Sequence, residues 1–295
     1  MKRVISGTCY VIVLLAFFLL KIFVHDFFFD GMLYAFALIG TFEITRALKD
    51  RITPTQKAVA FVFTAVVIPA CAVCEEYFQG GLQVVSGCFV AYLVITFGLL
   101  VFDYKETSLE SLAASVLSVL YPTLLICIMV VGNHAEVPAS MEEFAMDSRL
   151  MMLLIFTISP CADTIAFVFG CTMKKFMPQK LAPEISPNKT VIGGIGGLVG
   201  GMLGAAVLYF VYNGLLWGTF TNMHIWLPIY ILLGLLGALA STFGDLVESG
   251  IKRKLEIKDM GCLMPGHGGI LDRIDGTLFT AVIIYAAFML IHAVL

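Results

Sequence analysis

The sequence predicts an all-α, polytopic integral membrane protein, one helical bundle of about nine transmembrane helices. Composition, recurring apolar segments and the sorting of basic residues predict it. Of the 295 residues, 60% are hydrophobic and 13% charged, with a mean hydropathy of +0.96. A soluble domain is roughly half apolar and a quarter charged, so the apolar surplus calls for the bilayer core as solvent. The net charge of −3 says little about partners, because the charges are unevenly placed. No nucleic-acid partner is expected. Eight cysteines are scattered, mostly within apolar runs, where they act as small hydrophobes. Cys71 and Cys74 form a lone CxxC with no second pair nearby.

Apolar segments of spanning length fall at 4–24, 31–46, 58–74, 82–102, 111–131, 150–170, 192–215, 226–244 and 277–295. A spanning helix needs roughly 20 such residues, and about 17 suffice with some mismatch. The 31–46 and 58–74 segments carry the weakest signal. The first segment follows Met1-Lys2-Arg3. It is too long for a typical signal h-region, no small-x-small site closes it, and it reads as a retained helix.

With the N-terminus inside and strict alternation, inner loops hold all but two of the 18 Lys and Arg. The exceptions are Lys21 and Arg149, while outer connections such as Glu75-Glu76 and 136–143 are acidic or neutral. That asymmetry is the positive-inside pattern. It predicts a cytoplasmic N-terminus and a C-terminus outside, and the expected location is the cell (inner) membrane. Residues 1–135 are expected to serve packing or a homodimer contact, and 150–295 to form the catalytic region.

Residues 193–204 read GGIGGLVGGMLG. Gly193, Gly197 and Gly201 form one ridge at four-residue spacing, and Gly196, Gly200 and Gly204 another. Such ridges let helices approach closely in lipid. A nucleotide-binding glycine loop would need a preceding strand, and none is expected.

Candidate chemistry gathers in the C-terminal half. If the eighth helix continues past Gly244, Asp245, Glu248, Ser249 and Lys252 share a face. After a break at 265–269, Asp272 and Asp275 open the ninth helix at i and i+3. Carboxylates at the ends of adjoining helices can converge on hard cations, and oxygen ligands with open positions suit Mg²⁺ beside phosphate. Glycines flanking His267, among them Gly268 and Gly269, would let backbone approach an anion. Lys252, Arg253, Lys258 and Arg273 supply countercharge for polyphosphate. A solvated, topology-anchoring loop explains those cations well but explains the four carboxylates less well.

Asp163 lies within the sixth apolar segment. A carboxylate there costs on the order of 2.5–3.5 kcal/mol at mid-depth, less near the interface, and its default reading is function. A snorkelling carboxylate is the bland alternative. The following loop ends Ser186-Pro187-Asn188-Lys189-Thr190 just before the seventh helix. Hydroxyls, a lysine and exposed N–H groups at a helix start form a phosphate cradle, or an ordinary Pro-rich connection with caps.

These residues carry a family resemblance. The run Ser249-x-x-Lys252-Arg253-x4-Lys258-Asp259-x-Gly261-x3-Pro265-x-His267-Gly268-Gly269-x-x-Asp272-Arg273-x-Asp275 resembles the signature of the phosphatidate cytidylyltransferases, or CDP-diacylglycerol synthases. Gly244-Asp245-Leu246-x-Glu248-Ser249 extends it upstream. Asp163-Thr164, Leu181-Ala182-Pro183 and Ser186-Pro187-Asn188-Lys189-Thr190 resemble the family's other blocks in the right order. The family usually has Gly where Ile165 stands, and Trp-Glu-Gly after Lys-Thr where Val191 and Ile192 precede Gly193.

The resemblance implies that CTP and phosphatidate give CDP-diacylglycerol and pyrophosphate at the inner membrane surface. It implies Mg²⁺ held by Asp245, Asp272 and Glu248, with a second cation left open. Asp245, Asp272, Lys252, Arg273 and Asp275 are the expected catalytic set. Asp163, Ser186, Lys189, Thr190, Ser249, Arg253, Lys258, His267, Gly268 and Gly269 are expected to hold substrates, namely CTP and the lipid phosphate in the bilayer. Two other classes compete with this one. A CDP-alcohol phosphotransferase would show Asp-Gly-x2-Ala-Arg, but Asp275-Gly276 is followed by Thr277-Leu278. A transporter would place ionisable groups near the midplane in paired repeats, and here the charges gather at one face.

Overall fold

In a computed structural model the described residues are mostly helical. The structure describes residues 2–135, 147–173, 175–217, 223–264 and 268–294. Among them run α1 (Lys2–Phe23), α2 (Phe27–Ala47), α3 (Pro54–Phe78), α4 (Gly81–Phe102), α5 (Leu109–Asn133), α6 (Ser148–Thr172), α7 (Val191–Val211), α8 (Met223–Lys254) and α9 (Leu271–Val294). Eight of the described helices are long and apolar enough to cross a membrane. In α1 the apolar stretch searched is the shorter Gly7–Phe23.

The two weakest sequence segments prove longer than expected. The 31–46 segment gains a turn of phenylalanines at its start. The 58–74 segment is extended at both ends, because Thr53 and Gln56 close a capping box in front of Pro54. Gln79, at φ 50°, ends that helix in the left-handed conformation. Within α5, Leu120–Leu124 widens to a π turn where Pro122 withholds its N–H.

The chain forms two compact units. The first holds Met1–His134 and Leu255–Arg273. Here α3 packs against α2, α4 and α5. A buried triangle of hydroxyls joins three of these helices: Thr64 Oγ1 lies 3.0 Å from Thr41 and 2.8 Å from Thr123. Such bonds hold helices where lipid offers no hydrophobic drive between them.

The second unit holds Ala135–Lys254 and Ile274–Leu295. Here α7 packs between α6 and α8, and its glycines explain the approach. A Cβ on Gly196 would lie 2.6 Å from the Phe169 side chain, and one on Gly200 2.6 Å from Cys161 O. One on Gly201 would lie 2.5 Å from Gly234 O across the other face. The glycine run is therefore a packing surface, as expected, with one ridge against α6 and Gly201 against α8.

Candidate active site

In the second unit, α8 runs unbroken through Gly244 to Lys254. Asp245, Glu248, Ser249 and Lys252 thus share a helical face. Glu248 is fully buried and accepts a hydrogen bond from Lys252 Nζ at 2.9 Å, one turn along. Asp275, on the adjoining α9, lies against Glu248, with Asp245 within electrostatic reach. Gly244 permits this closeness, since a Cβ there would lie 2.6 Å from Asp275 O.

The Pro-rich connection before α7 folds as an antiparallel ribbon, β1 (Lys180–Ala182) with β2 (Ser186–Thr190). No strand is expected here from the sequence, and the structure differs. Proline is tolerated because a two-stranded ribbon has only edges. Thr190 ends β2 and caps α7, its Oγ1 accepting from Gly193 N at 3.1 Å. The ribbon sets Lys189 against Asp245, with which it forms an ion pair. Arg253 Nε donates to Ile185 O at 3.2 Å, tying the end of α8 to the ribbon's turn.

Beside the ribbon opens a cavity of about 780 Å³. Asp163, Asn188, Lys189, Thr190 and Thr242 give it polar groups, and Ala166 and Phe167 an apolar wall. Asp163 is exposed into this space. Ser186 and Ser249 are half-buried on β2 and α8.

The remaining predicted residues belong to the first unit, in the segment after α8. Asp272 Oδ2 accepts backbone hydrogen bonds from Met260 N at 2.9 Å and Gly269 N at 2.7 Å. It thereby closes the loop on itself. Gly268 adopts φ +83°, and a Cβ there would lie 2.6 Å from Asp272 Oδ2. Lys258 and Arg273 are exposed. His267 lies outside the described residues.

One residue escaped the sequence reading. Glu43 sits in α2, only 3% exposed, and reaches the signature loop from 227 residues away. Its Oε1 accepts from Ile270 N at 3.0 Å and its Oε2 from Leu271 N at 2.9 Å, at the first turn of α9. A carboxylate suits the positive end of a helix. Any side chain on Gly261 or Gly269 would collide with Glu43. The bare backbone at these glycines leaves room for the Glu43 carboxylate. The available signal was an acidic residue inside an apolar segment, the same signal that singled out Asp163.

The trio of described residues whose ligand atoms fall within 4.8 Å of one another is Asp26, Glu76 and His134, in the first unit. The expected ligands are otherwise engaged here: Asp245 with Lys189, Glu248 with Lys252, and Asp272 with its own loop.

Fold and site together define a polytopic helical membrane protein with lysines and carboxylates gathered beside a cavity. Residues 2–291 match the Cytidylyltransferase family, and the chain belongs to that family. It is 42% identical over 135 residues to a phosphatidate cytidylyltransferase of Staphylococcus haemolyticus, covering 45% of this chain and 46% of that one. It is 46% identical over 131 residues to one from Staphylococcus aureus (strain COL), covering 43% and 45%. It is 37% identical over 142 residues to one from Thermotoga maritima, covering 48% and 50%. The chain thus spans about half the length of the curated relatives it matches.

Proposed function

We propose that this chain transfers the cytidylyl group of CTP to phosphatidate, giving CDP-diacylglycerol and pyrophosphate, at the cytoplasmic face of the cell membrane. Family membership and the relatives' shared name support the reading. The observation that carries it is the pairing of Lys189, which lines the cavity, with Asp245 on α8. A phosphate-binding cation and a metal-binding carboxylate here neutralise each other. Both are about a quarter exposed, so the pair is worth little and separates readily when substrate arrives.

The chemistry asks for positioning more than for a base. A lipid phosphate is already an anion at neutral pH. One of its oxygens bonds to the α-phosphorus of CTP, the bond from that phosphorus to the bridging oxygen breaks, and pyrophosphate leaves with the electron pair. Lys189, Lys252 and Arg253 hold the anions together, and Thr190 and Asn188 orient them at the mouth of α7. Asp163 faces the same cavity and positions substrate groups that can donate hydrogen bonds.

The donor set fits Mg²⁺. Glu248 and Asp275 are packed together with Asp245 in reach, and such a concentration of negative charge suits a hard divalent cation. Asp245 and Glu248 are proposed to hold it; Asp272 is added from its place in the signature. When bound, the ion offsets charge on the transferred and leaving phosphates. The N-terminus is proposed to be cytoplasmic and the C-terminus outside, which cysteine accessibility checks directly.

The test is an assay of purified protein in detergent with CTP, phosphatidate and Mg²⁺. CDP-diacylglycerol and pyrophosphate should form in equal amounts and only with all three present. Protein that is folded yet makes neither would overturn the proposal.

A further inference from the structure

The first unit holds a second constellation that the proposed reaction does not use. Three helix ends meet there: the start of α2, the end of α3 and the end of α5. His134 is buried, its ring between two carboxylates, Nδ1 2.6 Å from Glu76 Oε2 and Nε2 2.5 Å from Asp30 Oδ2. Asp30 is saturated, since its other oxygen accepts from Asn133 Nδ2 at 2.9 Å. Asp26 joins Glu76 and His134 to complete the trio within 4.8 Å. His25 Nε2 lies 3.5 Å from Glu76 Oε1, and its Nδ1 accepts from Phe27 N at 3.3 Å, which fixes the ring. Lys21 engages one oxygen of Asp26 and donates to Asn133 O at 2.8 Å.

From this geometry we infer a structural site for a divalent cation of the zinc class, bound by His134 Nδ1, Glu76 and the second oxygen of Asp26, with the fourth position left to solvent. Imidazole with carboxylate is a donor set such ions take. Asp30 is the outer partner of a metal-bound histidine, a carboxylate accepting from the nitrogen that faces away and so fixing the tautomer. Charge agrees. Three carboxylates face one lysine, which leaves two negative charges beside a neutral imidazole, and a divalent cation balances them. A path of entry exists, because Asp26, Glu76 and His25 are each part-exposed while His134 is closed off.

The site is separate from the residues that hold the signature loop. Asp30 and Glu43 are 13 residues apart on α2, about 20 Å along its axis. The ion would clamp the ends of three helices. The nearby CxxC is not part of it: Cys71 is buried, its Sγ directed at Cys127 O.

The test uses the full chain in detergent, stripped with chelator, given Zn²⁺ and desalted, with metal per chain read by mass spectrometry. Wild type should retain about one Zn²⁺ and melt at a higher temperature with it, as a ligand of the folded state must cause. Glu76→Gln, at a part-exposed position, should lose most of that metal and the thermal shift. Asp30→Asn should weaken affinity roughly 10–100-fold. Co²⁺ in place of Zn²⁺ should give a spectrum without a thiolate charge-transfer band. Three results would overturn the site: no metal retained by wild type, equal retention by Glu76→Gln, or a thiolate band. The first would leave His134 as an imidazolium clamped between Asp30 and Glu76.

Discussion

Asp163 and Glu43 are both carboxylates inside apolar spanning helices, and the structure uses them in opposite ways. Asp163 opens into a cavity lined by Lys189, Thr190 and Asn188. Glu43 is buried with both oxygens engaged by backbone N–H groups at the start of α9. The expectation that an ionisable group in a membrane helix marks function therefore splits in two. A carboxylate facing a cavity can act on a ligand. One saturated by backbone acts on the fold, here by holding the loop that carries Gly268, Gly269 and Asp272.

Substitution breaks this comparison open in order of expected effect. Asp245→Asn keeps its shape and loses its charge. Turnover of CTP should fall by about 10²–10³-fold or more, with the melting temperature little changed, because the electrostatic contribution to transfer is lost. Near-normal turnover in protein that purifies normally would remove Asp245 from the ligand set. Glu43→Ala leaves two buried N–H groups without their charged acceptor. That should cost on the order of 2–4 kcal/mol of stability, seen as a lower melting temperature. Gly269→Ala drives a methyl against Glu43 and should cost about 1–3 kcal/mol by overpacking. If Gly269→Ala melts like wild type, the loop is not held by Glu43.

Lys189→Met is smaller and more diagnostic. Loss of a charge-assisted contact is worth about 1.5–3 kcal/mol, so KM for CTP should rise roughly 10–100-fold and KM for phosphatidate should move less. A lysine that served only as a topology anchor would change insertion and leave the CTP dependence alone.

The helices and much of the C-terminal residue set were legible in the sequence, for physical reasons. Apolar length is a local signal, and eight described helices have it. Asp245, Glu248, Ser249 and Lys252 follow from helical spacing once α8 passes Gly244. Glu43 carried the signal of an acid in an apolar segment, but its role was not legible, because its partners lie 227 and 228 residues away, and no periodicity encodes a contact so remote. The same contact accompanies the grouping of Leu255–Arg273 with the first unit, although the segment sits among C-terminal helices in sequence. The ribbon at Lys180–Thr190 was hidden for another reason. Pro183 and Pro187 usually argue against strands, but a ribbon with no interior strand leaves proline's missing N–H harmless. Asp26, Glu76 and His134 were invisible as a group because they come from three helix ends far apart in the chain.

The most direct measurement sets Asp163→Asn and Glu43→Ala side by side, with melting temperature and CTP-dependent turnover read on the same preparations. Asp163→Asn should melt within a degree or so of wild type while its turnover drops about tenfold or more, the loss of one positioned contact. Glu43→Ala should melt clearly lower. The contradicting result is the reverse: Asp163→Asn unstable with normal turnover per folded molecule, and Glu43→Ala as stable as wild type.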